Sequence, residues 1–88
     1  MKITNIKVSS RYKKSFRNLS SSIQRKAIAK IKVFKENYSN SILKTHPLSG
    51  KDENCWSFWV DYHYRIKFVF LSGEEVLFLD IGAHDIYK

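Results

Sequence analysis

Three histidines and one arginine are the residues of this sequence that are best suited to proton transfer and phosphate chemistry. An imidazole has an ordinary pKa of about 6.5 and can donate or accept a proton at neutral pH. His46, His63 and His84 are widely separated and lack a regular ligand spacing such as His-x-x-x-His, so no metal site and no cofactor are expected. Arg65 carries a rigid fork of N–H donors that fits phosphate oxygens better than a lysine does.

Other kinds of chemistry have little support in the sequence. Cys55 is the single cysteine, which excludes an intramolecular disulfide and a multi-cysteine metal site. No glycine-rich phosphate loop is present, and nothing supports a Ser-His-Asp or Cys-His hydrolase. Residues 1–7 lack the apolar segment of a secretory signal, and no apolar run approaches the roughly 20 residues that span a bilayer. We therefore expect a soluble cytoplasmic protein without a membrane partner.

The charge is strongly basic and uneven along the chain. The 88 residues carry 16 Lys and Arg against 8 Asp and Glu, and residues 1–35 hold eleven of the cations and none of the acids. Such asymmetry is typical of a surface that binds a polyanion, because each neutralised phosphate releases condensed counterions. An acidic protein partner or a merely solvated helix face would give the same count. The candidate RNA- or ribosome-binding residues are Lys13, Lys14, Arg17, Arg25, Lys26, Lys30, Lys32 and Lys67.

The N-terminal part of the chain predicts a strand and a short helix. Residues 3–8 are β-prone and form the expected strand. Ser9 or Ser10 can then cap a helix, whose apolar residues recur at spacings of four and three and share one face. Those residues are Tyr12, Phe16 and Leu19.

A second helix is predicted from a capping box formed by Ser21 and Gln24 to about Asn37. Its apolar residues make one continuous stripe, and basic residues occupy the rest of its circumference. The two helices should form an antiparallel hairpin that packs on a sheet and has a cationic outer surface. The stripe consists of Ile23, Ala27, Ile31, Phe34 and Tyr38.

In the second half of the chain the apolar pattern changes to a period of two. Residues 39–54 are polar and rich in turn formers, which predicts a connection with one helical turn around residues 41–44. Alternating runs at 55–60, 64–71 and 76–81 then predict three successive strands joined by short turns.

These elements predict a single α+β domain over residues 1–88, in the order β-α-α-β-β-β. Its antiparallel sheet should carry the helical hairpin on one face. The other face, which includes Arg65 and Lys67, would stay open to a ligand. Trp56 and Trp59 point to opposite faces of their strand, so one is expected in the core and the other against a base or a protein partner.

Four segments in the second half of the chain resemble one known family. They read LKTHPLSG at 43–50, WSFWVDY at 56–62, YRIKF at 64–68 and DIGAHDIY at 80–87. Their order and spacing, and the length of the chain, are similar to the RelE/ParE toxin superfamily, particularly its RelE/StbE-like and YafQ-like members. The resemblance covers essentially the whole chain, and its first 40 residues match in general character only.

The resemblance implies a toxin of a type II toxin–antitoxin system. Ribosome-dependent members cut mRNA in the decoding site by activating a ribose 2′-hydroxyl against the adjacent phosphate, without a metal. The products are a 2′,3′-cyclic phosphate and a free 5′-hydroxyl. The implied partners are the ribosome with its mRNA and a cognate antitoxin, through which alone the toxin would contact operator DNA. The implied compartment is the bacterial cytoplasm.

The resemblance also assigns roles to three residues of the C-terminal half. Arg65 lies where the family has its phosphate-clamping arginine, and Lys67, on the same strand face though not assigned by the resemblance, would support that role. His84 matches a C-terminal histidine that acts as general acid in some members of the family. Tyr87 matches a tyrosine of the family that stacks on a base or positions a phosphate. Arg65, His84 and Tyr87 each have a structural alternative. Arg65 could form an ion pair with Asp61 or Asp80. His84 could cap the end of the sheet or contact the antitoxin, and Tyr87 could dock on the sheet.

Three further residues are weaker members of the implied catalytic set. His46 matches the loop histidine of YafQ-like members, although a lone loop histidine is also simply exposed to solvent. Asp61 and His63 lie in the turn where those members place another acid–base pair, at a spacing that is not identical. Outside this catalytic set, Asp85 could orient His84 through a hydrogen bond, although adjacent residues seldom face each other.

Two alternatives to an mRNA endonuclease stay open. A ParE-like toxin shares the fold and poisons gyrase by binding it, but the C-terminal histidine is unusual for such a site. A degenerate toxin homologue would bind antitoxin or RNA without catalysis.

Overall fold

The computed structural model describes residues 1–50 and 54–83 of the chain. The predicted α+β class is confirmed, and one short strand, β2, is added within the segment that was predicted to be a connection. The elements, in chain order, are β1 (Asn5–Val8), α1 (Ser10–Arg17), α2 (Ser21–Glu36), a 3₁₀ turn (Ser41–Leu43), β2 (His46–Pro47), β3 (Trp56–Trp59), β4 (Tyr64–Phe70) and β5 (Glu75–Ala83).

The five strands form one mixed sheet in the order β1-β5-β4-β3-β2. The predicted antiparallel meander is confirmed for β3, β4 and β5. The prediction of a wholly antiparallel sheet is wrong, because β1 pairs with β5 in parallel. Apolar alternation identifies a strand but not the direction of its partner, and no tight turn joins these two strands. The two helices instead carry the chain from one edge of the sheet to the other.

Serine side chains begin both helices. Ser9, one of the two predicted caps, accepts a hydrogen bond at its Oγ from the backbone N–H of Tyr12 at 3.0 Å, and Ser10 is the first residue of the helix. The predicted capping box of α2 is wrong by one residue, since Ser20 is the N-cap. The side chain of Gln24 instead donates to the carbonyl of Phe16 at 2.8 Å, because the last carbonyls of a helix lack partners within it. This bond ties the start of α2 to the end of α1.

Phenylalanine rings form the centre of the core between the helical hairpin and the sheet. Phe34 of α2 stacks on Phe58 with ring centroids 4.4 Å apart, and meets Phe68 and Phe78 edge-on at 5.1 and 5.8 Å. All four rings are at most 1% exposed. The predicted apolar stripe is confirmed as the face that packs on the core at Ala27, Ile31, Phe34 and Tyr38, while Ile23 is not part of that cluster. Burying one such ring contributes about 1.5–3 kcal/mol to stability.

The first helix is held against β5 by apolar and polar contacts. Tyr12 is buried against Phe78, and burial raises the pKa of its phenol to about 12. The carboxylate of Asp80 accepts from Ser15 Oγ at 2.6 Å and pairs with Arg11 at 3.2 Å. Neither α1 nor α2 is long and apolar enough to cross a membrane.

Candidate functional site

The sheet face opposite the helical hairpin gathers several of the predicted site residues. Residues that face each other on neighbouring strands project to the same side of a sheet. The register pairs His46 with Ser57 and Ser57 with Lys67, so these three side chains form one row across β2, β3 and β4. The next row pairs Trp59 with Arg65. A histidine, a lysine and an arginine therefore lie on one face of the sheet.

Ser57 lies in the middle of the first row and was not predicted. It is 1% exposed, and its Oγ has no hydrogen-bond partner among the residues that the structure describes. Neighbouring strands are about 4.8 Å apart, so the backbones of His46 and Lys67 are about 10 Å apart with the serine between them. The short side chain occupies little space between the two longer ones. Nothing in the local sequence marks this serine, because its burial arises from the strands on both sides.

The edge-strand position of His46 fixes the tautomer of its ring. The side chain is exposed, and its Nδ1 lies 2.7 Å from the carbonyl oxygen of Lys44. Because a carbonyl oxygen only accepts hydrogen bonds, Nδ1 carries a proton. In the neutral ring, Nε2 then holds the lone pair and can accept a proton from a substrate. The geometry thus suits this histidine to the role of a general base.

Arg65 is buried in the sheet, at 8% exposure, and supports the turn that precedes it. Its Nη1 donates to the carbonyls of Asp61 and Tyr62 at 2.8 and 2.6 Å. The guanidinium lies over the ring of Trp59, 4.1 Å from the centroid. The carboxylates of the two predicted ion-pair partners, Asp61 and Asp80, take other partners. The arginine is therefore a fixed positive charge at the edge of the open face.

Asp61 organises the β3–β4 turn, which comprises residues 60–63. Its Oδ1 accepts from the backbone N–H groups of His63 and Tyr64 at 2.9 and 2.8 Å, and its Oδ2 lies 3.4 Å from Lys26 Nζ. Burial acts to raise the pKa of Asp61, but the hydrogen bonds from Tyr64, His63 and Lys26 outweigh it, and the pKa is lowered overall. The carboxylate is held ionised in a structural role, while the ring of His63 is exposed beside it.

Two of the predicted RNA-binding lysines hold α2 to this turn. Lys26 pairs with Asp61, and Lys30 Nζ donates to the carbonyl of Val60 at 3.0 Å. Lys67 is half-buried in its row on the sheet. The other basic candidates are exposed on the outer surface of the helical hairpin, where they can reach a large polyanion. They are Lys13, Lys14, Arg17, Arg25 and Lys32.

An aromatic cluster at the end of the β3–β4 hairpin was only partly predicted. Trp56 packs on the core side against Phe70, and Trp59 lies on the open face, as expected of two residues on opposite faces. Tyr62 was missed and is 69% exposed, with its ring edge-on to Trp59. Lys44 was also missed, and its Nζ lies 5.3 Å from the centre of the Trp59 ring. An aromatic residue at the tip of a tight turn is the signal that would have identified the tyrosine.

The C-terminal part of the predicted site lies outside the described residues. This applies to His84, Asp85 and Tyr87, whose roles stay predictions. Within residues 1–50 and 54–83, no group of three His, Cys, Asp or Glu side chains is arranged to hold a metal ion. The described candidate residues of this face are His46, Lys67 and Arg65.

The fold and site together define a small α+β domain with a cationic helical hairpin on one side and a histidine–lysine–arginine cluster on the other. No known family profile and no curated protein matches the chain. Solved structures do match. The YoeB/ParE toxin from Agrobacterium tumefaciens superposes with a TM-score of 0.75 at 15% identity, over 92% of this chain and 99% of that one.

Two solved complexes match over a similar extent. The archaeal RelE–RelB complex from Pyrococcus horikoshii OT3 has a TM-score of 0.71 at 11% identity, over 94% of this chain and 96% of that one. The E. coli DinJ–YafQ toxin–antitoxin complex has a TM-score of 0.65 at 17% identity, over 98% and 97%. The chain has the fold of the RelE/ParE toxin superfamily, which confirms the predicted resemblance at the level of structure.

Proposed function

We propose that this protein is the toxin of a type II toxin–antitoxin system and that it cleaves mRNA on the ribosome. One observation carries the proposal: the sheet register places His46, Lys67 and Arg65 in adjacent rows on the open face of a RelE/ParE-type fold. These are the residue types that metal-independent cleavage of RNA requires. The reaction needs a base, a proton donor and positive charge beside one phosphate.

The proposed reaction is attack of a ribose 2′-oxygen on the adjacent phosphorus. Nε2 of His46 takes the proton from the 2′-hydroxyl as the new O–P bond forms. Lys67 and Arg65 offset the negative charge that develops on the phosphate oxygens. The bond between phosphorus and the 5′-oxygen then breaks, and His84 is proposed to protonate that oxygen. Tyr87 is proposed to stack on a base or to contact the phosphate. Asp61 is left out of the proposed catalytic residues because its carboxylate accepts hydrogen bonds from the backbone of the turn.

The proposed partners follow from the two surfaces of the molecule. Exposed cations on the helical hairpin would bind phosphates of ribosomal RNA, with an affinity that falls as salt rises. The likeness to a toxin–antitoxin complex supports a cognate antitoxin as the second partner. We propose that operator DNA is contacted only through that complex, in the bacterial cytoplasm.

The test is cleavage of mRNA by purified protein on programmed ribosomes. His46→Gln keeps a polar side chain but removes the base, so we expect the cleavage rate to fall by about 10²–10⁴-fold. Glu74→Gln, at an exposed position in the turn between β4 and β5, is the control and should cleave at the wild-type rate. The cut RNA should carry a 2′,3′-cyclic phosphate and a free 5′-hydroxyl.

Two outcomes would contradict this proposal in whole or in part. Undiminished cleavage by His46→Gln would remove the histidine from the mechanism. Intact mRNA in the presence of the wild-type protein would contradict the nuclease itself. A DNA-damage response after induced expression of the protein would then favour a gyrase poison. The absence of that response would favour a homologue that only binds antitoxin or RNA.

A further inference from the structure

The β3–β4 turn presents one exposed tyrosine on a rigid support. The backbone N–H groups of Val60 and Asp61 both donate to the carbonyl of Tyr64, at 2.9 and 3.3 Å. Arg65 binds the carbonyls of Asp61 and Tyr62 from one side, and Lys30 binds the carbonyl of Val60 from α2. These bonds use backbone atoms and leave the tyrosine side chain out. The turn is therefore fixed independently of what its exposed ring does.

Two neighbouring rings orient the side chain of Tyr62. The ring of Trp59 lies 6.0 Å away at an interplanar angle of 82°, and that of His63 lies 5.2 Å away, also at 82°. Edge-to-face contacts of this kind are favourable for aromatic pairs and restrict ring rotation. The residue nevertheless stays 69% exposed. An aromatic ring held in one orientation in solvent is ready to stack on a flat ligand without losing much conformational entropy.

Two cations lie against Trp59, whose ring contacts that of Tyr62, and Asp61 in the same turn is paired with Lys26. Arg65 lies over Trp59 at 4.1 Å, and Lys44 lies 5.3 Å from the centre of the same ring. An apolar protein segment would gain little from such neighbours. A nucleotide combines a flat base with a negatively charged phosphate, so it matches both the ring and the cations. The charge of the cluster thus favours single-stranded nucleic acid over a hydrophobic peptide.

We infer that Tyr62 is a stacking platform for an mRNA base that flanks the phosphate to be cut. The inference rests on the proposed function for the identity of its ligand. Trp59 lies two residues from Ser57 on the same strand face, or about 6.7 Å along the strand, and the ring centroid of Tyr62 lies 6.0 Å from that of Trp59, so Trp59 connects the platform with the row that holds His46 and Lys67. A strand of RNA that runs along the β3–β4 hairpin contacts both. The tyrosine then sets the position of the RNA and takes no part in proton transfer.

The experiment measures binding of RNA without cleavage. A short, fluorescently labelled single-stranded RNA with 2′-O-methyl groups cannot be cut by 2′-hydroxyl attack, so its fluorescence anisotropy reports affinity whether or not the protein is a nuclease. Stacking on an aromatic ring contributes about 1–3 kcal/mol per base, so Tyr62→Ala should weaken binding by about 5- to 150-fold. Tyr62→Phe keeps the ring and should bind within about twofold of the wild type.

Two controls separate stacking from general damage. Leu71→Ala removes another exposed apolar side chain, from the far end of β4, and should leave the affinity unchanged. Removing the bases of the RNA one position at a time should weaken binding to the wild type at one position, and that loss should vanish in Tyr62→Ala. Circular dichroism checks that each variant has the wild-type Tm.

Three results would overturn the inference. They are no measurable binding by the wild type, equal affinity of the wild type and Tyr62→Ala, or equal losses for every abasic RNA in both proteins. Equal affinity would leave the tyrosine as a contact to a protein partner. If the wild-type protein does not cleave mRNA on ribosomes but still binds RNA in a way that depends on Tyr62, the nuclease proposal fails and the stacking inference stands.

Discussion

Basic side chains on the outer surface of the helical hairpin extend into solvent, whereas those around the β3–β4 turn bind protein atoms. Lys13 and Arg17 of α1 are exposed. Lys26 and Lys30, one and two turns along α2, reach across to the turn, and Arg65 binds its carbonyls from the sheet. The same residue types thus face solvent in one region and hold the shape of a turn in the other.

The difference predicts how each region responds to substitution. Exposed cations act through their summed field, so the loss of one changes stability by less than about 0.5 kcal/mol. Cations around the turn satisfy specific carbonyl and carboxylate oxygens, so the loss of one leaves such an oxygen without that partner. Substitutions should therefore separate the two regions by what they change: affinity and its salt dependence in the first, and stability in the second.

The largest expected effect belongs to Arg65→Ala. The change removes hydrogen bonds to the carbonyls of Asp61 and Tyr62 and the contact with Trp59, so we expect the free energy of unfolding to fall by about 3 kcal/mol. Urea denaturation at equilibrium measures it. Arg65→Lys keeps the charge but not the planar fork and should lose less. Arg17→Ala on the hairpin is the matched control, and a loss there of similar size would erase the contrast between the two regions.

The combined change of Lys13, Lys14 and Arg17 to Gln tests the hairpin. Each phosphate contact to single-stranded RNA contributes about 0.7 to the slope of log affinity against log salt, so the slope should fall by about 2. Between 0.05 and 0.2 M salt this is a difference of about one order of magnitude. Titration of RNA at several salt concentrations measures it. The free energy of unfolding should stay close to the wild-type value, and an unchanged slope would mean that these residues do not contact phosphate.

Asp61→Asn is expected to have the smallest effect and depends on pH. The folded state lowers the pKa of this carboxyl, so ionisation stabilises the fold above the unfolded-state pKa of about 3.9, and that contribution is lost as the pH falls through the folded-state value. Asparagine keeps an acceptor for the backbone of His63 and Tyr64 but loses the charge facing Lys26. At pH 7 the variant should lose about 1 kcal/mol or less. The gap from the wild type should narrow between pH 5 and pH 2 in urea titrations, and a gap that is independent of pH would contradict the ionised role.

Local patterns in the sequence were sufficient for the helices and the central strands. The stripe of α2 predicted that Phe34 faces the core, and Ser9 was a correct cap. The start of α2 was misplaced because Ser20, Ser21 and Ser22 are chemically equivalent, and the choice among them is made by Gln24 reaching the end of α1. Likewise, the parallel direction of β1 depends on β5, which is distant in the chain, and no local pattern encodes it.

The candidate site was predictable where it depends on strand register. Arg65 and Lys67 were expected on the face opposite the helices, and the sheet register places them there together with His46. The detailed role of Arg65 was not predictable, because its partners are backbone carbonyls, which every sequence has. Ser57 and Tyr62 were missed for a related reason. The burial of Ser57 is set by residues of the neighbouring strands, and the exposure of Tyr62 is set by its place in the β3–β4 turn.

The parallel pairing of β1 with β5 also constrains the order of events during synthesis of the chain. Asn5 faces Glu75 and Val8 faces Phe78, so every contact between these strands joins positions 70 residues apart. Strand β5 lies between β1 and β4, and α1 packs on it. A nascent chain that has not yet released residues 75–83 from the ribosomal tunnel cannot unite its two halves in one sheet. We therefore expect folding to wait for the arrival of β5, and contacts of such long sequence separation make that step slow compared with helix formation.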